Sequence, residues 1–243
     1  MDLTIHQIRF GISTYLVPSP LRKVYKLCIL RAMTQLNNLP FFTTKELGIA
    51  KNASNGNLKQ YISRKLAKGD ILSLKKGIYV TKEYLSSLSI EELSIYKELL
   101  ATVIKQPSYI SLEYALSKYQ ILPEMVASIS SVTLSRPYVL NNYFGNYSYR
   151  SIKSDLFTGY EIKYYKNASY YFASKSKALF DYLYYKLSTI PLNENINLVE
   201  ELRLNLESFL EKDWEDLETW CNISKLSKLK KIVENLRKNA SNN

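Results

Sequence analysis

The residues able to make or break bonds are few and badly spaced in this sequence. His6 is the only histidine, and the two cysteines, Cys28 and Cys221, lie far apart. No cysteine or histidine pair has metal-ligand spacing, so neither a disulfide framework nor a structural zinc site has a basis. A Ser-His-Asp or Cys-His relay would have to run through His6, beside the N-terminus. Asp155, Glu161 and Lys163 supply the acid and acid-x-Lys elements with which metal-dependent nucleases hold Mg²⁺ and orient water. Their short separation leaves little room for the usual intervening strand, and such alternation is more often solvated charge. The expectation is a protein that is not an enzyme and uses no metal or cofactor.

Recognition of a polyanion is better represented. Residues 1–82 carry 14 Lys and Arg against only Asp2, Glu46 and Asp70, whereas the rest of the 243-residue chain carries 19 basic and 19 acidic groups. The whole net charge of +11 therefore sits in the first third. A biased genome would enrich lysine everywhere; it would not strip acids from one segment, so this segment is read as binding nucleic acid. The side chains suited to that task are Thr44, Lys45, Asn55, Asn57, Lys59, Gln60, Ser63, Arg64, Lys68, Lys75 and Lys76. Asn and Gln pair bidentately with adenine and Arg with guanine, while Lys and Ser take phosphates or mixed edges.

The elements that must position these residues follow from hydrophobic periodicity. Residues 21–36 carry an apolar stripe of Leu21, Val24, Leu27, Cys28 and Ala32 and predict a helix. Phe41 and Phe42 predict a short buried strand, with Thr43 as N-cap of a short helix over 44–47 that Gly48 ends. After a turn at 51–56, a second helix is expected from Asn57 to Lys68, burying Leu58, Tyr61 or Ile62, and Leu66, and closed by Gly69 and Asp70. Strands at 71–74 and 78–80 flank a turn at Lys75, Lys76 and Gly77. This order is that of a winged helix-turn-helix domain, whose second helix enters the major groove while the hairpin tip reaches a flanking phosphate or the minor groove.

Further on, residues 83–103 predict one continuous helix and 111–119 a short one. Strands are expected at 128–134, 138–140, 147–152, 161–165 and 170–173. The tyrosines and phenylalanines between 138 and 185 suit half-buried sheet faces better than single-stranded nucleic acid stacking, because residues 83–190 are nearly neutral. Two helical stretches close the chain. Leu202, Leu206, Phe209, Leu210, Trp214 and Leu217 stripe the first, and Ile223, Leu226, Leu229, Ile232, Val233 and Leu236 the second. The fold class expected is α+β: a leading segment (1–19), a winged helix-turn-helix domain (20–82), a mixed domain (83–190) and a C-terminal helical hairpin (191–243). At 46% hydrophobic and 23% charged the chain can bury a core. Asp2, His6, Gln7 and Arg9 stand where a signal peptide needs an apolar run, so a cytoplasmic protein with no membrane partner is expected.

Six blocks between 106 and 186 carry a family resemblance. They include Pro107, Ser108, Tyr109, Ser111 and Glu113; then Pro123 and Glu124; Ser131 to Thr133; Gly145 to Tyr149; Leu156 to Gly159; and Ala173 to Asp181 with Lys177. In this order they resemble the AbiEi family of abortive-infection, type IV antitoxins, and with the upstream domain the similarity covers about residues 20–190. The resemblance implies a transcriptional repressor that binds double-stranded DNA in its own promoter, with possible self-association there. It implies a second domain that counters a nucleotidyltransferase toxin without a stable complex. Ser108, Tyr109, Ser111, Glu113, Pro123, Lys177 and Asp181 match the antitoxin-domain motif. Ser176 departs from it, standing where Glu usually precedes the lysine, and implies loss of one helix-capping or ion-pair contact. The alternatives are an orphan winged-helix regulator or docking module without a toxin, and, more remotely, the metal-dependent nuclease.

Overall fold

The structure, a computed structural model, describes residues 7–10, 13–16, 36–51, 55–191 and 196–240. The helix expected over 21–36 falls outside them apart from Leu36, as do His6 and Cys28. The chain divides into two compact units, Met1–Ser89 and Ile90–Asn243. Its class is mixed α+β.

In the first unit, β1 (Gln7–Phe10) and β2 (Ser13–Leu16) pair antiparallel, Gln7 opposite Leu16. A buried core surrounds β3 (Phe42–Thr43), α1 (Thr44–Lys51), α2 (Asn55–Ala67), β4 (Ile71–Lys75) and β5 (Ile78–Thr81), followed by α3 (Lys82–Ser86). The three strands form an antiparallel sheet in the order β3-β5-β4. Leu36, Phe42, Leu47, Leu58, Ile62, Ile71 and Tyr79 are buried together, so α1 and α2 are fixed to the sheet by one apolar cluster. Thr43 starts α1 as expected: its hydroxyl accepts from the Glu46 amide at 3.2 Å and the Glu46 carboxylate accepts from the Thr43 amide at 2.6 Å, a reciprocal capping box.

Several expectations need correction. Gly48 does not stop α1, which continues to Lys51. Its missing side chain lets α1 and α2 approach closely there, since a Cβ would sit 3.3 Å from Leu58 Cδ2. The second helix starts two residues earlier, at Asn55. Leu66 is exposed, one step beyond the stripe occupied by Leu58 and Ile62. Gly69 ends that helix at φ +70, with Gly69 N–H on the Leu66 carbonyl and Asp70 N–H on the Lys65 carbonyl, a Schellman closure. Residues 83–103 are not one helix. Lys82–Ser86 ends at Ser87, whose hydroxyl donates to the Tyr84 carbonyl at 2.7 Å, and a new helix begins at Ile90.

The second unit is built on a six-stranded mixed sheet ordered β10-β11-β6-β7-β9-β8. The strands are β6 (Ser108–Ile110), β7 (Ile129–Thr133), β8 (Tyr138–Asn142), β9 (Gly145–Ser151), β10 (Tyr160–Tyr165) and β11 (Ala168–Ala173). The β11–β6 and β7–β9 pairs are parallel and the others antiparallel. Side-chain alternation assigns the two faces. Tyr149 donates to the Ala101 carbonyl of α4 (Ile90–Ile104), while the adjacent Arg150 lies over Tyr185 of α6 (Lys175–Lys186), so the two helices flank opposite faces. α5 (Leu112–Lys118) packs on α6.

At the C-terminus the expected apolar stripe from Leu202 to Leu217 is not a single helix. A turn of helix, α7 (Leu198–Glu201), is followed by irregular chain in which Leu204 and Leu206 are buried but Leu210 is exposed. α8 (Glu211–Ser224) starts only after it and is joined to α9 (Ser227–Ala240) through Lys225 at φ +58. The hairpin packs against the rest of its own unit through α6.

Candidate functional site

In the first unit the sequence supplies α2 with a basic residue set and no acid. Leu58 and Ile62 turn one side to the core, so the 3.6-residue period sets Gln60, Ser63 and Arg64 at the centre of the opposite side and Asn57, Lys59 and Lys68 at its margins. All six are exposed. Asn55 occupies the first helical position. Gly56 and Ala67 share the outer side and leave little bulk between it and an approaching surface. Arg64 Nε donates to the Gln60 carbonyl at 3.4 Å, which aligns the guanidinium along the helix.

The turn at Lys76 and Gly77 is tied to the start of α1. Thr44 N–H donates to the Gly77 carbonyl at 3.0 Å and the Thr44 hydroxyl reaches the same oxygen at 3.4 Å. Gly77 has φ +85, a value that favours glycine. Thr44, Lys45, Lys75 and Lys76 are thereby brought together, with Lys45 and Lys76 exposed and Thr44 and Lys75 half-buried.

Two lysines overlooked in the sequence are held beneath this surface. Lys51 Nζ lies 3.6 Å from the Tyr61 ring centroid, and burial, then the charges of Lys65 and Arg64, pushes its pKa down. Lys65 pairs with Asp70 at 2.7 Å; that hydrogen bond raises the lysine and lowers the carboxyl. Only the aromatic at 61 next to basic residues hinted at this.

The second unit brings together some of the residues that carry the family resemblance, from blocks some seventy residues apart. Asp181 Oδ2 accepts from the Tyr109 hydroxyl at 3.0 Å and the Ser111 hydroxyl at 2.7 Å. Lys177 Nζ sits 2.8 Å from Asp181 Oδ1, one helical turn away, and donates to the Leu156 carbonyl at 2.7 Å. Lys177 and Asp181 are both fully buried. Burial pushes the Asp181 carboxyl up and the Lys177 ammonium down, each opposed by the partner's charge. Phe180 and Trp220 rings surround the ammonium at 4.4 and 5.5 Å. Ser174 caps α6 by accepting from the Lys177 amide, and Ser176 is buried with its hydroxyl 3.3 Å from that of Ser174. Ser108 is buried separately on the Lys105 carbonyl, while Glu113 is half-buried and Pro123 exposed, outside the cluster.

A second buried acid was missed. Glu98, in α4, receives hydroxyls from Tyr114 at 2.9 Å and Tyr170 at 3.0 Å and pairs with Lys118 at 3.0 Å. Its sequence neighbourhood is acidic and reads as a solvated helix face, so nothing local marked it. Of the nuclease elements, Asp155 lies in a 3-10 turn (Ser154–Leu156), whereas Glu161 and Lys163 lie on β10; among the described residues no three His, Cys, Asp or Glu side chains are grouped to hold a metal.

No protein-family model matches the chain, and a search of curated proteins found no match. No helix among the described residues is long and apolar enough to cross a membrane.

Proposed function

We propose that the chain is a sequence-specific DNA-binding repressor and antitoxin of a type IV toxin-antitoxin operon, controlling its own transcription and that of a nucleotidyltransferase toxin. The first unit acts as a winged helix-turn-helix: α2 enters the major groove, and the β4–β5 turn meets the flanking backbone. The observation that carries this is the acid-free outer side of α2, where Gln60, Ser63 and Arg64 stand exposed between Asn57 and Lys59. Gln60 and Arg64 read base edges, Lys59, Lys68 and Lys76 take phosphates, and the +11 carried by residues 1–82 draws the protein to DNA. The antitoxin assignment rests on the ordered sequence blocks. It is supported by the meeting of Tyr109 and Ser111 with Lys177 and Asp181, which lets two distant blocks act as one framework.

The test is titration of the full-length protein against its promoter fragment. Each neutralised phosphate contributes about −0.9 to the slope of log K against log salt. Arg64→Ala should weaken the specific site by about 1–3 kcal/mol and relax one base preference, whereas Lys76→Ala should weaken all sequences alike and flatten the slope by about one. Unchanged promoter affinity in both variants refutes the DNA-binding assignment. Failure of the wild type to relieve growth arrest by the adjacent toxin gene refutes the antitoxin assignment.

A further inference from the structure

Strand β10 is one edge of the six-stranded sheet, pairing only with β11 among the described residues. On the face flanked by α6 it presents Tyr160, Ile162 and Tyr164, and Tyr171 of β11 stands opposite Ile162. Ile162 is 54% exposed, Tyr164 73% and Tyr171 39%, so an aliphatic and aromatic strip runs to an open sheet edge. Edges of this kind template pairing with another strand unless something opposes it. The charges on the other face, Glu161 and Lys163, do not oppose it uniformly, because they are of opposite sign two residues apart.

We infer that β10 is a homodimer interface, on which a second copy of the chain adds its own β10 antiparallel about a two-fold axis at Ile162. The five residues 160–164 are self-complementary in that register alone. Ile162 meets Ile162 of the second copy, Tyr160 meets Tyr164, and Glu161 meets Lys163, each pair occurring twice or lying on the axis. Directly opposed cross-strand side chains are about 4.5–5.5 Å apart at Cβ and gain most from these combinations. A shift of one residue sets opposite faces against each other. Centring the axis on Glu161 or on Lys163 instead sets like charges face to face. In the free chain, Lys163 Nζ lies 3.9 Å from the centroid of the Phe172 ring on the neighbouring strand, from which its flexible stem can reach the outer edge. Pairing joins the two sheets into one and covers Ile162 and Tyr164. The interface is small, so a dissociation constant in roughly the micromolar range is expected.

The experiment is sedimentation velocity on the full chain without DNA, from about 1 to about 200 µM. Wild type is expected to shift from monomer to dimer across that range. Glu161→Lys and Lys163→Glu each create two like-charge contacts across the axis and should each weaken the dimer about tenfold or more. An equimolar mixture of the two variants restores both Glu–Lys pairs and should dimerise like wild type, as should the double exchange in one chain. Recovery on mixing cannot come from a folding defect in either variant. A wild type that stays monomeric throughout overturns the proposal and leaves the edge to a strand from another protein. Single variants that dimerise as wild type does, or a mixture that stays monomeric, overturn it equally. None of these outcomes depends on DNA binding.

Discussion

Removing both charges of the Lys177–Asp181 pair should destabilise the second unit by clearly less than the two single removals added together. Lys177→Met leaves a carboxylate at zero exposure with only the Tyr109 and Ser111 hydroxyls. Asp181→Asn leaves an ammonium with the Leu156 carbonyl and the surrounding rings. Stranding a buried charge costs about 3–5 kcal/mol, which for a unit of this size is a fall in Tm of about 6–20 °C. In the double variant the amide oxygen introduced at position 181 still accepts from both hydroxyls, and the thioether chain introduced at position 177 lies among the Phe180 and Trp220 rings. The Leu156 carbonyl loses its donor, and the amide NH₂ group, standing where Oδ1 faced the ammonium, lacks an acceptor, at about 1–3 kcal/mol each, so the double variant should lose less than the two single losses added together.

Both tryptophans, Trp214 and Trp220, are in the second unit, so urea unfolding followed by tryptophan fluorescence reads that unit alone. The pH dependence has opposite sign in the two single variants. A carboxyl with a raised folded pKa binds a proton more readily folded than unfolded, so the deficit of Lys177→Met shrinks as pH falls. A lysine with a lowered folded pKa releases its proton more readily folded, so the deficit of Asp181→Asn shrinks as pH rises. Single losses below about 1 kcal/mol, or a double variant as unstable as the two losses summed, refute the description of these residues as one desolvated, coupled pair.

Gly159→Ala sets a Cβ 2.3 Å from Trp220 Cζ2 at a residue with φ +77, and should lower stability by about 2–4 kcal/mol in the same fluorescence assay. Tyr170→Phe removes one of the two hydroxyls on buried Glu98 and should cost about 1–3 kcal/mol, measured by urea unfolding. The Lys65 hydrogen bond lowers the Asp70 carboxyl, so its stabilisation of the first unit is present above the unfolded value of about 3.9 and is lost as pH falls through the lower folded value. Asp70→Asn should lack that step when unfolding is followed by circular dichroism.

The features legible in the sequence are those set by local chemistry. Thr43 as a cap, Gly69 as a helix stop, Gly77 as a turn residue, and the alternating β-branched and aromatic runs of β7 to β11 each depend on a few neighbouring residues. The misplacements share a different cause, in that tertiary packing overrode a local signal. Gly48 looks like a stop until Leu58 fills the space beside its Cα. Leu202 to Leu217 repeat at helical spacing, but Leu204 and Leu206 are buried from irregular chain, so periodicity there records burial without a helix. Strand β6 escaped notice because three residues, Ser108 to Ile110, are too few to show alternation; it holds its place by pairing with β7 on one side and β11 on the other.

The same distinction separates the two groups of candidate residues. The set proposed to face DNA follows from residue type and charge, both of which are visible along the chain, and it lies on the surface because Leu58 and Ile62 fix which way α2 faces. The set that carries the family resemblance is different: its best-connected members, Tyr109, Ser111, Lys177 and Asp181, are buried. Closed off from solvent, these four cannot touch a partner directly. Their effect must be to hold β6, α5 and α6 in register, through a network whose every member is hydrogen-bonded or ion-paired to another. Any surface by which this unit acts on other molecules is therefore formed by residues around the network, and substitutions in the network should alter that action only in proportion to the stability they remove.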